Sequence, residues 1–484
     1  MKLLSPVLLS LLFLLPSATV SAQTPEDDEI ALDTVYVDSV SEYKILSATY
    51  RYRVSFRDKD NNSFSLKRPE EFLSQRALDR RARFGIKVDK YDLPIPPVYL
   101  EYVERLGFKL CNKSKWNNSA VFETSDTTLL ARLAEVKYIK DVRRVAEYIV
   151  YDIPDSLKLE AVEDVTMNDS VRLDSFPSFY GLGEPQVTQI HADSLHRAGF
   201  DGTGVVMAVI DGGFCNADSI ADFSGGKILG TYNFVDPAKS VYRAQDHGTM
   251  VLSCIAANRP NVLVGTAPGA KFYLLMSEDG ESEQPVEEDN WAAALEMADS
   301  LGADVVNSSL GYTGFDDPSD DHSYRELDGR TSVASRAASL AASRGMVVVC
   351  SAGNSGIEAW KKIGCPADAT DILAVGAVTC SGKNTWFSSV GNTADGRVKP
   401  DVMARGEESA VYEAAGTLSS ANGTSFSSPT LAGGVACLVQ AFPKVRPADI
   451  IHAIQQTASR ASYPDNIFGY GIANLWEAYK LLKR

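Results

Sequence analysis

The second half of the chain alternates short apolar runs with segments of helical periodicity. Continuous apolar runs joined by helical crossovers indicate parallel strands that are buried on both faces. From Gln186 onward we therefore predict an α/β fold, a parallel sheet flanked by helices. The apolar runs of strand length cover residues 205–210, 272–276, 305–308, 347–350 and 372–375.

Residues 48–151 follow a different pattern, which predicts a small α+β domain in front of the parallel sheet. Alternate residues over 50–56 are apolar, which is the period of a half-buried strand. A further strand is expected over 142–150. Helical spacing of the apolar residues predicts helices over 69–84, 98–106 and 127–136.

The first 22 residues have the layout of a secretory signal peptide, with a charged start at Lys2, an apolar run over 7–15 and small residues up to Ala22. This run is shorter than the roughly 20 apolar residues that span a bilayer. Elsewhere the sequence has no stretch of comparable hydrophobicity. We therefore expect an exported protein, secreted or periplasmic, whose mature form has no membrane span.

Two polar segments separate these parts. Residues 23–47 are acidic and are predicted to be flexible. Residues 152–180 form a polar linker to a C-terminal domain over 181–484. The formal net charge of −16 argues against nucleic-acid binding and favours a protein that stays in solution.

The seven cysteines are compatible with export but do not define a disulfide framework. Cys254 and Cys437 lie in apolar helical runs, and Cys350 ends an apolar strand. Buried free thiols are common in such surroundings. We expect mostly free thiols, with one or two disulfides as the alternative.

The segment 423–429 places a serine, Ser425, where an apolar helical run begins. The first turn of a helix has unpaired N–H groups and the positive end of the helix dipole, which together stabilise an oxyanion. Ser425 is therefore a candidate nucleophile. A serine before a helix is more often its N-cap, so this position alone leaves both interpretations open.

A base and an orienting acid are available elsewhere in the chain. Asp211 ends an apolar strand-like run, and His247 precedes a second apolar helical run. The order Asp, His, Ser is that of subtilisin and differs from the orders in chymotrypsin and the α/β-hydrolases. Asn354 follows a third apolar run.

The chain resembles the subtilisin-like serine proteases in four signatures that follow one another in the family's order. The resemblance implies a catalytic triad of Asp211, His247 and Ser425. It also implies an oxyanion hole made by the Asn354 side chain and the Ser425 backbone N–H. Because a serine hydroxyl is a weak nucleophile, His247 would take its proton while Asp211 holds the imidazole. The four signatures cover residues 206–211, 246–249, 351–354 and 423–429.

The resemblance further implies where an extended substrate lies. Its backbone would pair with Ser309, Leu310 and Gly311, so that main-chain hydrogen bonds supply affinity. Ala352 and Gly353 would form the opposite wall of the primary specificity pocket.

Two acidic segments are candidates for binding roles. The first, residues 278–283 with 287–289, lies where such proteases shape the subsites before the scissile bond, and would favour basic substrate side chains; a solvated acidic loop is the alternative. The second offers hard oxygen ligands for a structural calcium ion, although the chemistry itself implies no cofactor. Its candidate ligands are Asp316, Asp317, Asp320, Asp321 and Asp328.

The small domain over 48–151 stands where these proteases carry a propeptide. This placement implies a folding assistant and intramolecular inhibitor, which is cut off between about Tyr148 and Gln186. An independent binding domain is the alternative.

Three rival functions fit the sequence less well. A sedolisin-type acid protease uses Glu and Asp in place of the histidine found here in the run 246–249. An α/β-hydrolase esterase requires Gly-x-Ser-x-Gly and the order Ser, Asp, His. A catalytically silent binding or inhibitory protein would have no need of the complete residue set. We therefore predict a monomeric serine endopeptidase that hydrolyses protein or peptide substrates through an acyl-enzyme.

Overall fold

The computed structural model of the chain describes residues 44–152 and 175–484. The predicted signal peptide, most of the acidic segment and most of the linker therefore lie outside the described residues. Within the two described stretches, no helix is both long and apolar enough to cross a membrane.

The described chain forms two compact parts. The larger consists of residues 49–148 and 175–484, and the smaller consists of residues 44–48 and 149–152. In the smaller part, the N–H of Asp152 donates to the carbonyl oxygen of Lys44 at 2.8 Å.

Residues 49–148, called here the N-terminal domain, contain a four-stranded sheet and three helices. The elements are β1 (Ile45–Phe56), α1 (Gln75–Phe84), α2 (Pro97–Arg105), β2 (Lys109–Ser114), β3 (Ser119–Thr124), α3 (Leu130–Ala134) and β4 (Ile139–Tyr151). The strand order is β2-β3-β1-β4, and β3 runs antiparallel to both of its neighbours. Val54 and Phe122 from the sheet share one core with Val103 and Leu133 from the helices.

Two features of this domain differ from the sequence prediction. The β2–β3 hairpin was not predicted, because its first strand mixes lysine and asparagine with apolar residues and shows no clear alternation. The predicted helix over 69–84 is divided into a 3₁₀ turn (Pro69–Glu71) and α1. The break lies at Ser74, whose side chain caps α1 by accepting a hydrogen bond from the Ala77 N–H at 3.2 Å.

Residues 175–484, called here the C-terminal domain, are built on the predicted parallel sheet. Its strands and short hairpins are β5 (Val206–Asp211), β6 (Ile228–Asn233), β7 (Asn258–Arg259), β8 (Leu263–Val264), β9 (Lys271–Met276), β10 (Val305–Ser308), β11 (Val347–Ser351), β12 (Leu373–Val378), β13 (Val402–Arg405), β14 (Ser409–Tyr412) and β15 (Leu418–Ala421). Seven of them form one parallel sheet in the order β13-β12-β11-β10-β5-β9-β6. The predicted fold class is confirmed, and β6 and β13 extend the five predicted strands.

Helices cover both faces of this sheet, as continuous apolar strands require. They are α4 (Glu184–Gln189), α5 (Ala192–Arg197), α6 (His247–Ala256), α7 (Val286–Leu301), α8 (Val333–Ser343), α9 (Thr424–Ala441), α10 (Pro447–Thr457) and α11 (Leu475–Leu482). Along β5, Met207 and Val209 pack in one core with α6 and α9. Ala208 and Ile210 point the other way and pack with α7 and α8.

The strand register brings several predicted site residues to one edge of the sheet. Ser308 of β10 lies beside Ile210 of β5 and beside Cys350 of β11. Asp211 and Ser309 follow directly at the carboxyl ends of their strands. In open parallel sheets, binding and catalytic sites form at this edge.

The N-terminal domain packs on α7 through buried charges. Asp299 of α7 pairs with Arg80 and with Arg81, whose Nη2 lies 2.7 Å from Asp299 Oδ2. One turn earlier, Glu296 accepts hydrogen bonds from the Ser114 hydroxyl and from two backbone N–H groups after β2. Removing one partner from a buried pair leaves an uncompensated charge, so these contacts fix the N-terminal domain on this helix.

Candidate active site

The predicted acid and base are in contact at the end of β5. Asp211 Oδ1 lies 2.6 Å from His247 Nδ1, and the Asp211 side chain is fully buried. Burial alone lowers the pKa of His247, but the charge of Asp211 and its hydrogen bond outweigh burial, so the pKa is raised above its ordinary value. The imidazole is therefore oriented through Nδ1, and its other nitrogen remains available.

Local backbone geometry explains why β5 and α6 bring these two residues together. The Gly248 N–H donates to the carbonyl oxygen of Gly213 at 2.9 Å. A Cβ on Gly248 would lie 2.3 Å from that same oxygen, and one on Gly213 would lie 2.6 Å from the Gln245 nitrogen. The turn after β5 can therefore approach the start of α6 only with glycine at both positions.

Ser425 lies in the first turn of α9, but it is not the N-cap. Gly423 holds the N-cap position and Thr424 begins the helix, so the N-cap interpretation of Ser425 is wrong. The Ser425 hydroxyl donates to the carbonyl oxygen of Ser309 at 3.4 Å, and the Ser309 hydroxyl donates to the carbonyl oxygen of Ser425 at 2.9 Å. The imidazole of His247 lies beside this turn, with its ring centroid 6.0 Å from that of Phe426.

Asn354 is anchored on the same helix turn. Its Oδ1 accepts hydrogen bonds from the backbone N–H and from the hydroxyl of Thr424, both at 2.9 Å. Because a backbone N–H can only donate, the oxygen of the amide must face Thr424, which leaves Nδ2 as the outward donor. Nδ2 lies 3.6 Å from the position of a Cβ on Gly423. Asn354 Nδ2 and the N-terminal N–H groups of α9 therefore lie close together.

The predicted substrate-binding residues line the same edge of the sheet. Ser309 is buried against Ser425, whereas Leu310 is half-buried and Gly311 is exposed. Across the site, Ala352 is buried and the Gly353 N–H donates to the Thr424 hydroxyl at 3.2 Å. Exposure therefore increases from Ser309 to Gly311 along the segment after β10.

One of the two interpretations of the first acidic segment was a solvated loop. The structure contradicts it for part of the segment. Residues 287–289 belong to the first turn of α7 and are buried. Arg53 of the N-terminal domain forms a bidentate ion pair with Asp289, in which the Nε–Oδ1 and Nη2–Oδ2 distances are both 2.7 Å. The sequence does not reveal this burial, because the partner of Asp289 is distant in the chain.

Three glutamates of this region gather beside the Asp211–His247 pair. One carboxylate oxygen each of Glu278, Glu283 and Glu287 lies within 4.8 Å of the other two. Burial raises the pKa of Glu278 to about 7, with the charge of Asp211 adding to it and a hydrogen bond from a buried tyrosine opposing it. Burial, followed by the charge of Glu278, raises the pKa of Glu283 to about 8 and that of Glu287 to about 11. The three carboxyls cannot all carry charge near neutral pH.

Tyr312 was missed by sequence reasoning. It is fully buried, and its hydroxyl donates to Glu278 Oε1 at 2.5 Å. Its backbone pairs with Cys365, each N–H donating to the carbonyl oxygen of the other residue. Tyr312 comes directly after the predicted substrate-binding segment, but its partner Glu278 follows a different strand, β9, so the sequence does not reveal the contact.

The five aspartates predicted to bind calcium have other partners. Asp316, Asp317, Asp321 and Asp328 accept hydrogen bonds from nearby backbone N–H groups, and Asp320 pairs with Arg143 at 2.8 Å. Among the residues described, they do not form one of the groups whose ligand atoms lie within 4.8 Å of each other. Calcium binding at this loop stays a prediction.

The cysteines follow the expectation of mostly free thiols. Six of them are unbridged in the structure: Cys111, Cys254, Cys350, Cys365, Cys380 and Cys437. Burial raises the pKa of the Cys254 and Cys350 thiols to about 12. These two thiols are therefore inert core groups.

Comparisons with known proteins show what the chain is similar to. A family model described as "Subtilase family" matches residues 202–471, and one described as "Peptidase S8 propeptide domain, Bacteroidota" matches residues 51–157. Subtilisin NAT of Bacillus subtilis subsp. natto is 31% identical over 324 residues, covering 65% of this chain and 77% of that protein. Subtilisin E of Bacillus subtilis (strain 168) is 30% identical over the same length and coverage.

A solved structure is also similar. The crystal structure of MycP1 with its N-terminal propeptide removed matches 61% of this chain and 96% of its own, at 25% sequence identity and a TM-score of 0.48. The family model alone covers more than half of the chain, and the propeptide model covers most of the N-terminal domain. The chain belongs to the subtilase family, and is a serine-type endopeptidase made as a precursor with a propeptide domain.

Proposed function

We propose that this endopeptidase cleaves peptide bonds through a triad of Asp211, His247 and Ser425, and that it is exported as a self-inhibited precursor. The observation that carries the proposal is the 2.6 Å contact between Asp211 and His247 beside the first turn of α9. Asn354, held by Thr424 on that same turn, supplies a donor for the developing charge.

In the first step the Ser425 oxygen attacks the carbonyl carbon of the scissile bond, and His247 Nε2 accepts the hydroxyl proton. The Ser425 hydroxyl rotates away from the Ser309 carbonyl oxygen to reach the imidazole. Asp211 keeps the proton on Nδ1 and stabilises the imidazolium that forms. The oxyanion is stabilised by Asn354 Nδ2 and the Ser425 N–H, which is one of the N–H groups left unpaired at a helix start.

In the second step the tetrahedral intermediate collapses, and the imidazolium returns its proton to the leaving amine. The acyl group now remains on the Ser425 oxygen as an ester. Water, deprotonated by His247, then attacks this ester and releases the second product with the serine restored. All proton transfers in both steps pass through His247, so its charge state controls the rate.

The substrate is a protein or peptide segment in extended conformation. It adds as a strand along Ser309, Leu310 and Gly311, of which Gly311 is exposed. Ala352 and Gly353 form the facing wall of the pocket for the side chain before the scissile bond. The glutamate cluster, with Glu278 beside the Asp211–His247 pair, favours basic substrate side chains; a cluster that only supports the fold is the alternative.

The propeptide domain acts as folding assistant and intramolecular inhibitor. Support comes from its contacts on α7, where Arg80 and Arg81 neutralise Asp299 and Arg53 neutralises Asp289. These pairs match each of the three arginines with an aspartate of α7 and so fix the position of the domain on that helix. An independent binding domain is the alternative.

A serine-directed phosphonate probe tests the proposed nucleophile. We expect one label per processed chain, located by peptide mapping on Ser425, and no label on the Ser425→Ala variant. Absence of label on purified, processed protein would defeat the assignment and favour a catalytically silent member of the family. The Ser427→Ala variant is the matched control, because that serine lies in the same turn and donates only to the Thr424 carbonyl oxygen.

A further inference from the structure

Three side chains of different chemistry converge in the C-terminal domain, apart from the residues assigned above to catalysis. Glu288 lies in the first turn of α7, His322 in the loop before α8, and Cys365 between β11 and β12. One carboxylate oxygen, one imidazole nitrogen and the thiol sulfur lie within 4.8 Å of one another. His322 Nε2 and Glu288 Oε1 are 3.2 Å apart.

We propose that Glu288, His322 and Cys365 together bind one zinc ion. Zinc prefers nitrogen and sulfur ligands and also accepts carboxylate oxygen, at about 2.0 Å for nitrogen and oxygen and about 2.3 Å for sulfur. Ligand atoms around one tetrahedral ion are therefore roughly 3–4 Å apart. The His322–Glu288 separation already has this value, and Cys365 needs a shift of about 1 Å or less.

The charges of the three ligands balance a divalent ion. When the ion binds, the Cys365 thiol releases its proton to solvent, and its sulfur donates an electron pair to the metal. One thiolate and one carboxylate then neutralise Zn²⁺, while His322 binds as a neutral imidazole through Nε2. A neutral complex is far less costly to bury than a separated charge. The fourth position is left for a water molecule.

Neighbouring groups orient two of the ligands. His322 Nδ1 faces Glu326 Oε2 at 3.9 Å, and a carboxylate on the second ring nitrogen is the usual partner of a zinc-binding histidine. The Phe315 ring lies across the imidazole at a centroid distance of 5.6 Å. The hydroxyl of Ser332, the N-cap of α8, donates to Glu288 Oε1. The carboxylate and the imidazole are therefore held in place before the ion arrives.

Burial favours a single ion held inside the protein. Cys365 is fully buried and Glu288 is 4% exposed, whereas the His322 side chain is 11% exposed and offers the entry path. The three ligands come from three separate segments, so one ion would connect α7, the loop before α8 and the segment before β12. A hydrogen-bonded polar core without metal is the competing interpretation, and it predicts no stoichiometric binding.

The test uses the full chain carrying Ser425→Ala, so that self-cleavage does not alter the sample. After treatment with a chelator and dialysis against Zn²⁺, we expect one zinc per chain and a higher melting temperature than in the chelated protein. Replacement by Co²⁺ should give the visible bands of a tetrahedral ion and a near-ultraviolet thiolate-to-cobalt band. Absence of stoichiometric binding, or a cobalt spectrum without the thiolate band, would overturn the proposal.

Variants separate this site from adventitious binding. Cys365→Ser should abolish the thiolate band, and His322→Gln should weaken zinc binding at least about tenfold. If Cys365→Ser fails to fold, His322→Gln decides, because its side chain reaches the surface. Cys380→Ser is the control, since that thiol is exposed and outside the trio. A thiolate band that survives Cys365→Ser, or one that is lost in Cys380→Ser, would contradict the assignment.

Discussion

Asp211 Oδ1 lies 2.6 Å from His247 Nδ1, where the central strand β5 ends and helix α6 begins. The pairing raises the pKa of His247 above its ordinary value although burial opposes this shift. The base of the proposed mechanism is neutral only above that raised pKa. This contact therefore raises the pH below which the proposed base is protonated and inactive.

The Asp211→Asn variant keeps the shape of the side chain and removes its charge. We expect kcat to fall about 10⁴-fold, as found when the acid of such a triad loses its charge. Wild-type kcat/KM should fall as the pH drops through the raised pKa of His247, because imidazolium cannot accept a proton. In the variant this acid limb should move to lower pH, and pH–rate profiles of both proteins would reveal it. An acid limb at the same pH would mean that Asp211 does not set the charge of His247.

Asn354→Ala removes the side-chain donor of the proposed oxyanion hole. Turnover should fall roughly 10²–10³-fold, while KM changes little, because the hydrogen bond forms only with the tetrahedral oxyanion. Steady-state kinetics on a peptide substrate separate the two parameters. A variant with lowered affinity and unchanged kcat would instead place Asn354 in ground-state binding. Asn354→Asp is the matched control, because it keeps the shape of the side chain. Its negative charge should reduce turnover at least as strongly as Asn354→Ala does.

Removal of the propeptide should depend on the protein's own activity. Mass spectrometry of the wild type should locate a cut between about Tyr148 and Gln186, and the Ser425→Ala precursor should stay intact in a purified system. The same spectra give the mature N-terminus and test for loss of residues 1–22. Equal processing of both proteins would show that another protease makes the cut.

The buried charges between propeptide and α7 should dominate the stability of the precursor. Arg81→Met leaves Asp299 and Asp92 without one of their partners. We expect the free energy of unfolding of the Ser425→Ala precursor to fall by about 3–5 kcal/mol, measured by denaturant titration. The control Arg68→Met breaks an exposed pair with Glu71 and should cost less than about 1 kcal/mol. Equal losses of unfolding free energy in the two variants would show that the buried ion pairs stabilise the precursor no more than an exposed pair does.

Substrate preference should depend on pH through Glu278. Because its pKa is raised to about 7, the carboxyl is mostly protonated below that pH and ionised above it. Any preference for Lys or Arg before the scissile bond should therefore strengthen as the pH rises through about 7, and should be lost in Glu278→Gln. Peptide-library profiling at two pH values measures this. Absence of a Lys or Arg preference at every position would leave the glutamate cluster as a structural feature only.

Much of the fold followed from local patterns, and the exceptions have a common cause. The strands that precede Asp211, Ser309 and Asn354 were predicted because buried parallel strands form continuous apolar runs. The β2–β3 hairpin was missed because its first strand mixes lysine and asparagine with apolar residues and shows no clear alternation. The acidic residues 287–289 resemble a solvated loop in the sequence, and become buried through partners such as Arg53.

The sequence by itself determined the chain order of Asp211, His247, Asn354 and Ser425, and with it the family and the reaction class, because each residue lies in a short signature set by local backbone geometry. Tertiary structure alone decided that Gly423 rather than Ser425 caps α9, and that Asn354 turns its nitrogen away from Thr424. It also decided which carboxyls have a raised pKa, namely those of Glu278, Glu283 and Glu287. Burial and charge pairing depend on residues far apart in the chain, and no local pattern encodes them.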